Sequence, residues 1–283
     1  MGTTVLNDSL VDSLRGRQET LQQQAADLRD QATDVREEVS EYERFAADLR
    51  PSVVANRLAS IPVVVVTTET ADPDAVDQAS AALELAGARV VTAIEVQGSV
   101  SAADPADAQA LAGLVGLPGD TAPDELMSAA AEDLAVRLAA PARPADPRQD
   151  LLGRLLNAGF VVAPGLSDAG LAEVGGSEQV VVAIGGGATA LDSTSEGFLA
   201  RLVVDLEDLE VVTVAAEGSD PTSTFLTTTL DRAGSTALVT VDGMDHEIGA
   251  YALVLGIDAV TLTGEGGSWG IGDQASEPLP PPG

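Results

Sequence analysis

Two short stretches hold the residues best suited to chemistry. The first is Gly185-Gly186-Gly187-Ala188-Thr189-Ala190, which follows an apolar run and matches G-x-G-x-x-A. In a dinucleotide-binding loop such glycines let the backbone approach a pyrophosphate, which the next helix N-terminus then holds. Gly185, Gly186 and Gly187 are therefore the candidate cofactor-binding residues. Two features oppose that chemistry. Asp192-Ser193-Thr194-Ser195 is a run of N-cap types that places the helix start near Glu196. The acidic residue expected to hold a ribose would be Glu217, later than the usual spacing of about 20 residues. Carboxylates between 192 and 217 would also repel a phosphate. The plainer reading is a loop after a strand.

The second stretch is Met244-Asp245-His246-Glu247. Copper(I) favours thioether, thiolate and imidazole ligands. Met1 aside, the chain offers only Met127, Met244 and His246 of these types, so Met244 and His246 are the candidate metal ligands of a weak site. The plainer reading is a solvated turn that caps the following helix.

What is missing excludes more. There are no cysteines, hence no disulfides, thiol catalysis or thiolate metal sites. A single His allows at most one His-based triad, and no G-x-S-x-G elbow occurs. Carboxylates are plentiful, but nothing selects a catalytic pair. The expectation is a non-enzymatic protein with no resident cofactor.

The formal charge of −31 comes from 45 acidic residues against 14 basic ones, all of them Arg. Without a basic patch the chain cannot release counterions from a nucleic acid, which excludes that partner, and an anionic lipid surface would repel it. Aromatics are 2%, too few for a stacking surface, so the core must come from Val, Leu, Ala and Ile. No run reaches the roughly 18 apolar residues of a membrane-spanning helix, and Met1–Leu6 does not have the pattern of a signal peptide.

The elements that carry these residues divide in two. Over residues 10–50, Leu14, Leu21, Leu28, Val35, Tyr42 and Leu49 recur every seven residues. Val11, Gln18, Ala25, Ala32, Val39 and Ala46 each stand three residues ahead of one of them. This is an a/d heptad pattern, so residues 1–50 are expected to form a coiled-coil stalk, with that seam as the partner-binding surface. Ala and Gln18 weaken the a positions, and Glu38 would face Glu43 of a parallel copy. The partner is another coiled-coil chain, either a second copy or a different protein. A long helix packed on its own domain is the alternative.

Beyond Arg57 the pattern changes. Val63–Thr68 is a β-branched run of the kind that forms a strand buried on both faces. Asp72-Pro73 opens a helix that stops at Gly87, and a strand over Arg89–Ile94 completes a βαβ unit. Asp104-Pro105, Asp146-Pro147 and Asp220-Pro221 repeat the start signal, and residues 105–158 read as three helices. A short strand is expected over Phe160–Ala163 and longer ones over Val180–Ile184, Val211–Ala215 and Ala237–Val241. Helices are expected over Gly197–Leu206, Thr222–Asp231 and Gly249–Gly256. The fold class is thus α/β, a Rossmann-like, mostly parallel sheet over residues 58–270. Residues 271–283 read as a Pro-rich, disordered tail.

Tyr42–Pro51, Val53–Leu58 and the strand Val63–Thr68 resemble the actinobacterial MctB-type copper transporter family, which includes SteB-like division proteins. Thr240-Val241-Asp242-Gly243, Gly249–Leu255 and Gly270-Ile271-Gly272-Asp273 carry the same likeness at the other end of the chain. The resemblance implies an extracytoplasmic envelope protein held by one transmembrane helix upstream of the coiled coil, with Met1–Leu6 as its trailing edge. It implies either copper homeostasis, with copper the one metal in view, or regulation of cell division with a partner protein and a peptidoglycan hydrolase. The residues favour the second role. A transmembrane β-barrel needs strands of about 10 residues with alternating faces, whereas these strands are short and wholly apolar.

Overall fold

A computed structural model describes residues 3–281, except 142–145, 147, 177, 187–192, 220–221 and 235–236; at 3–16, 19–20 and 193–194 it describes the backbone alone. The chain forms two compact units, residues 1–48 and 49–283. Helix α1, Thr3–Val54, runs for 52 residues. It continues past the expected stop, through Pro51, and Val54 and Leu58 beyond that proline are fully buried.

In the second unit the strands are β1 (Pro62–Thr68), β2 (Arg89–Val96), β3 (Val161–Val162), β4 (Val180–Gly185), β5 (Thr213–Glu217), β6 (Val239–Asp242) and β7 (Gly267–Gly270). They form one sheet in the order β3-β2-β1-β4-β5-β6-β7. All neighbours are parallel except β3, which runs antiparallel to β2. The strand order reverses between β1 and β4, the place where open α/β sheets leave a crevice beyond their carboxyl ends.

The helices are α2 (Pro73–Leu85), α3 (Pro105–Val115), α4 (Pro123–Ala139), α5 (Leu151–Ala158), α6 (Asp168–Leu171), α7 (Ser193–Asp208), α8 (Phe225–Arg232) and α9 (Glu247–Thr263). Alternation along β1 explains the two layers. Val64 and Val66 belong to the large core cluster with residues of α3, α4, α5, α7 and α8. Val63 and Val65, also buried, point to the opposite face. There α2 and α9 lie together, α2 supplying Ala75, Ala79 and Ala82. Small residues let α9 lie close: a Cβ on Gly256 would come within 2.8 Å of the Trp269 ring.

The Asp-Pro start signals have mixed outcomes. Asp72 and Asp104 are true N-caps, accepting from the backbone N–H of Asp74 (2.9 Å) and Ala106 (2.7 Å). Asp146 does not open α5; the cap there is Asp150, whose carboxylate accepts from Gly153 N–H. Helix α7 starts at Ser193 rather than near Glu196, and α8 starts at Phe225 rather than Thr222. Asp220 and Pro221 lie outside the described residues. Helix α9 runs past Gly256 to Thr263, where Gly264 takes the left-handed conformation at φ +74°.

Residues 271–281 are not the loose tail their prolines suggest. Ser276 N–H donates to Ser268 C=O (3.0 Å), Gly270 N–H donates to Glu277 C=O (3.1 Å), and Gln274 N–H donates to the Asp242 carboxylate (3.0 Å). The segment thereby covers β7, the outermost strand on that side of the sheet. Prolines cost nothing there, because the bonds run from other residues.

Candidate functional site

At the carboxyl end of β4 the backbone geometry gives the glycines a packing role. A Cβ on Gly185 would sit 2.7 Å from Phe225 Cδ1, so the glycine makes room for that buried ring. Gly186 has φ +79°, and a Cβ there would reach Ser223 Oγ at 2.5 Å. Its carbonyl accepts from Asp72 N–H at 3.0 Å. Gly187 lies outside the described residues.

The groups around this crevice are mostly anionic. Glu217 ends β5 and Asp242 ends β6, and the two are register partners. Both are about 5% exposed. Glu217 accepts from Ser223 Oγ–H (2.6 Å) and Leu226 N–H (3.1 Å). Burial pushes its pKa above the ordinary carboxyl value; those two hydrogen bonds pull it down, and Asp242 and Glu196 push it up again. Asp72 and Asp245 flank Gly218, with carboxylate oxygens 3.1 and 3.6 Å from where its Cβ would be. Ser219 donates to Asp245 from both N–H (2.7 Å) and Oγ (2.6 Å). A phosphate brought here would meet carboxylates, Asp72 at the N-cap of α2 among them.

Met244 and His246 differ in environment. Met244 is fully buried, and its N–H donates to Glu217 C=O at 2.9 Å. His246 is the residue before α9; its side chain is a third exposed, with Nε2 3.8 Å from the Asp245 carboxylate. Met127 lies in the large core cluster, to which Met244 does not belong. Among the described residues no group of three or more His, Cys, Asp or Glu side chains is placed to hold a metal ion. Of the soft ligands copper(I) favours, this segment offers one enclosed thioether and one imidazole beside a carboxylate.

Two ion-pair clusters were not legible beforehand. Arg50 binds Glu247 through both Nε (2.7 Å) and Nη2, and Gln78 donates to the same carboxylate at 3.2 Å. This ties the end of α1 to α2 and α9. Arg137, 9% exposed, pairs with Asp150 and donates to the carbonyls of Val174 (2.9 Å) and Leu171 (3.2 Å). Arg50 and Glu247 stand 197 residues apart, so no local pattern could join them. Asp150 carried only a cap signal, weaker than the Asp-Pro pair upstream.

The heptad seam is the other candidate site. Leu21, Leu28 and Tyr42 are each 65% exposed, Val35 58%, Val39 47% and Leu49 41%. Gln18 and Ala32 are exposed too, and Ala25 and Ala46 are half-buried. Val11 and Leu14 fall within the helical backbone, but their side chains are outside the described residues. Phe45, 63% exposed at a position flanking the seam, adds apolar surface that the a/d pattern alone did not mark. No helix among the described residues is long and apolar enough to cross a membrane.

A family model described as "Copper transport outer membrane protein, MctB" matches residues 1–280. No curated protein is similar enough to be matched.

Proposed function

The chain belongs to the MctB family, and from that premise we propose that it is a non-enzymatic protein of the cell envelope whose stalk seam binds a partner helix. Its setting is regulation at the envelope, in cell division or the control of a peptidoglycan hydrolase, and a helix upstream of the stalk holds it to the membrane.

One observation carries this reading. The d-position side chains of α1, Leu21, Leu28, Val35 and Tyr42, are all more than half exposed. Isolated apolar residues on a surface are ordinary, but a stripe repeating every seven residues along one helix matches a second helix. Covering each Leu is worth about 1.5–3 kcal/mol. The test is Leu21→Ser with Leu28→Ser in the full chain. Its mass by light scattering and its capture of envelope partners are both measured. Association is expected to be lost; unchanged mass together with unchanged capture removes the proposal.

Copper handling is the second reading, and the family's description is what favours it. Met244 is enclosed and His246 stands beside a carboxylate, which favours an indirect copper role over a direct one. Titration calorimetry with Cu(I) under reducing conditions is expected to give no heat that depends on His246. Heat that is lost in His246→Ala would restore the direct reading.

A further inference from the structure

The charges beside the seam run against the charge of the chain. Within residues 10–50 the acidic side chains outnumber the arginines. Yet heptad spacing puts Asp27, Asp34, Glu41 and Asp48 at c, and Asp30 and Glu37 at f, all on the side away from the seam. The e and g positions that border the seam hold Arg17 at g and Arg29 and Arg36 at e; Glu38 and Glu43 are the acidic exceptions. The seam is therefore an apolar stripe with basic edges on an acidic protein.

The arginines of the second unit are mostly engaged. Arg50, Arg57, Arg89 and Arg137 pair with carboxylates, and Arg154 and Arg232 donate to backbone carbonyls. Arg29 and Arg36 are exposed, and among the described residues no ion pair engages either.

A second copy does not satisfy both of them. In a parallel pair, where g meets e of the next heptad, Arg29 meets Gln24, Arg36 meets Gln31, and Glu38 meets Glu43. An antiparallel copy that brings Arg29 to Glu43 also sets Arg36 against Arg36. We infer that the seam's occupant is a helix of a different protein, apolar at a and d and carrying carboxylates at e and g. This rests on the proposal that the seam binds a helix and adds the chemistry of the partner. Such a helix places carboxylates against Arg17, Arg29 and Arg36 in either orientation, since both parallel g–e and antiparallel e–e and g–g contacts become Arg–Glu.

The test uses two synthetic helices of about four heptads, both with Leu at a and d. One has Glu at e and g, the other Lys, and each is titrated into the full chain. The net charge of −31 alone favours the Lys helix. The inference expects the Glu helix to bind tighter, by about ten-fold or more, with the advantage shrinking as salt is raised. Arg29→Glu with Arg36→Glu is expected to reverse the order. Equal binding, or tighter binding of the Lys helix to the parent chain, overturns the inference. So does a self-associated mass that neither helix changes. Leu21→Ser with Leu28→Ser separates the two proposals. If it abolishes binding that shows no preference of charge, only the inference fails. If it leaves binding intact, the seam proposal fails as well.

Discussion

Phe225 decides the role of Gly185. Its ring fills the space a side chain at 185 would need, so the glycine that looked like half of a phosphate loop is required for packing. Gly185→Ala is therefore expected to lower stability by about 1–3 kcal/mol, as overpacking does. The loss, read from urea unfolding, should be the same with and without NAD or ATP; a loss that appears only in nucleotide binding would reinstate the loop. Glu217 gives a second prediction at this scale. Its pKa is raised by burial and by Asp242 and Glu196, so the folded state holds its proton more readily than the unfolded chain. Its contribution to stability is complete below the ordinary value of 4.5 and is lost as pH rises through the folded pKa. Glu217→Gln keeps an acceptor for Ser223 and Leu226 but cannot ionise. It is expected to melt above the parent at about pH 8 and level with it at about pH 4. An equal difference at both values would mean that ionisation is not the cause.

At the scale of elements, the sequence is legible where a local signal and the tertiary need coincide. Val63–Val66 and Val180–Ile184 are wholly apolar because α-helices cover both faces of the sheet, so β1 and β4 could be placed from composition alone. Gly267-Ser268-Trp269-Gly270 lacks both β-branched residues and alternation. It becomes β7 only because Val239–Asp242 offers an open edge and residues 271–281 close over it. Asp104 and Asp150 show the difference in energy. Asp104 is an exposed cap with one bond to Ala106 N–H, whereas Asp150 caps α5 and also neutralises the buried Arg137. Asp104→Ala is expected to cost about 1 kcal/mol. Asp150→Ala should cost about 3–5 kcal/mol, because it leaves a buried guanidinium without its counter-charge. Denaturant midpoints at fixed m-values measure both, and similar losses would show that the Arg137 pair is not the reason Asp150 matters.

Over the whole molecule, composition gives the size of the charge but not its placement. The excess of acids leads one to expect a partner other than nucleic acid, an expectation that does not depend on the fold. It could not show that Arg137 would be buried in the second unit, or that Arg29 and Arg36 would border the seam, since those placements follow from helix register and packing. The two levels respond to salt with opposite signs. Self-repulsion among 45 carboxylates opposes the compact state, and its reach shrinks from about 30 Å in 0.01 M salt to about 3 Å in 1 M. Added NaCl is therefore expected to raise the melting temperature, by about 2–4 °C for each 1 kcal/mol of repulsion screened. Over the same range it should weaken capture of an acidic helix by Arg29 and Arg36. A melting temperature that falls with NaCl would mean that attractive pairs such as Arg57–Asp258 and Arg89–Glu173 outweigh the repulsion. Both pairs are at least partly exposed and thus worth little each, so the repulsion is expected to win.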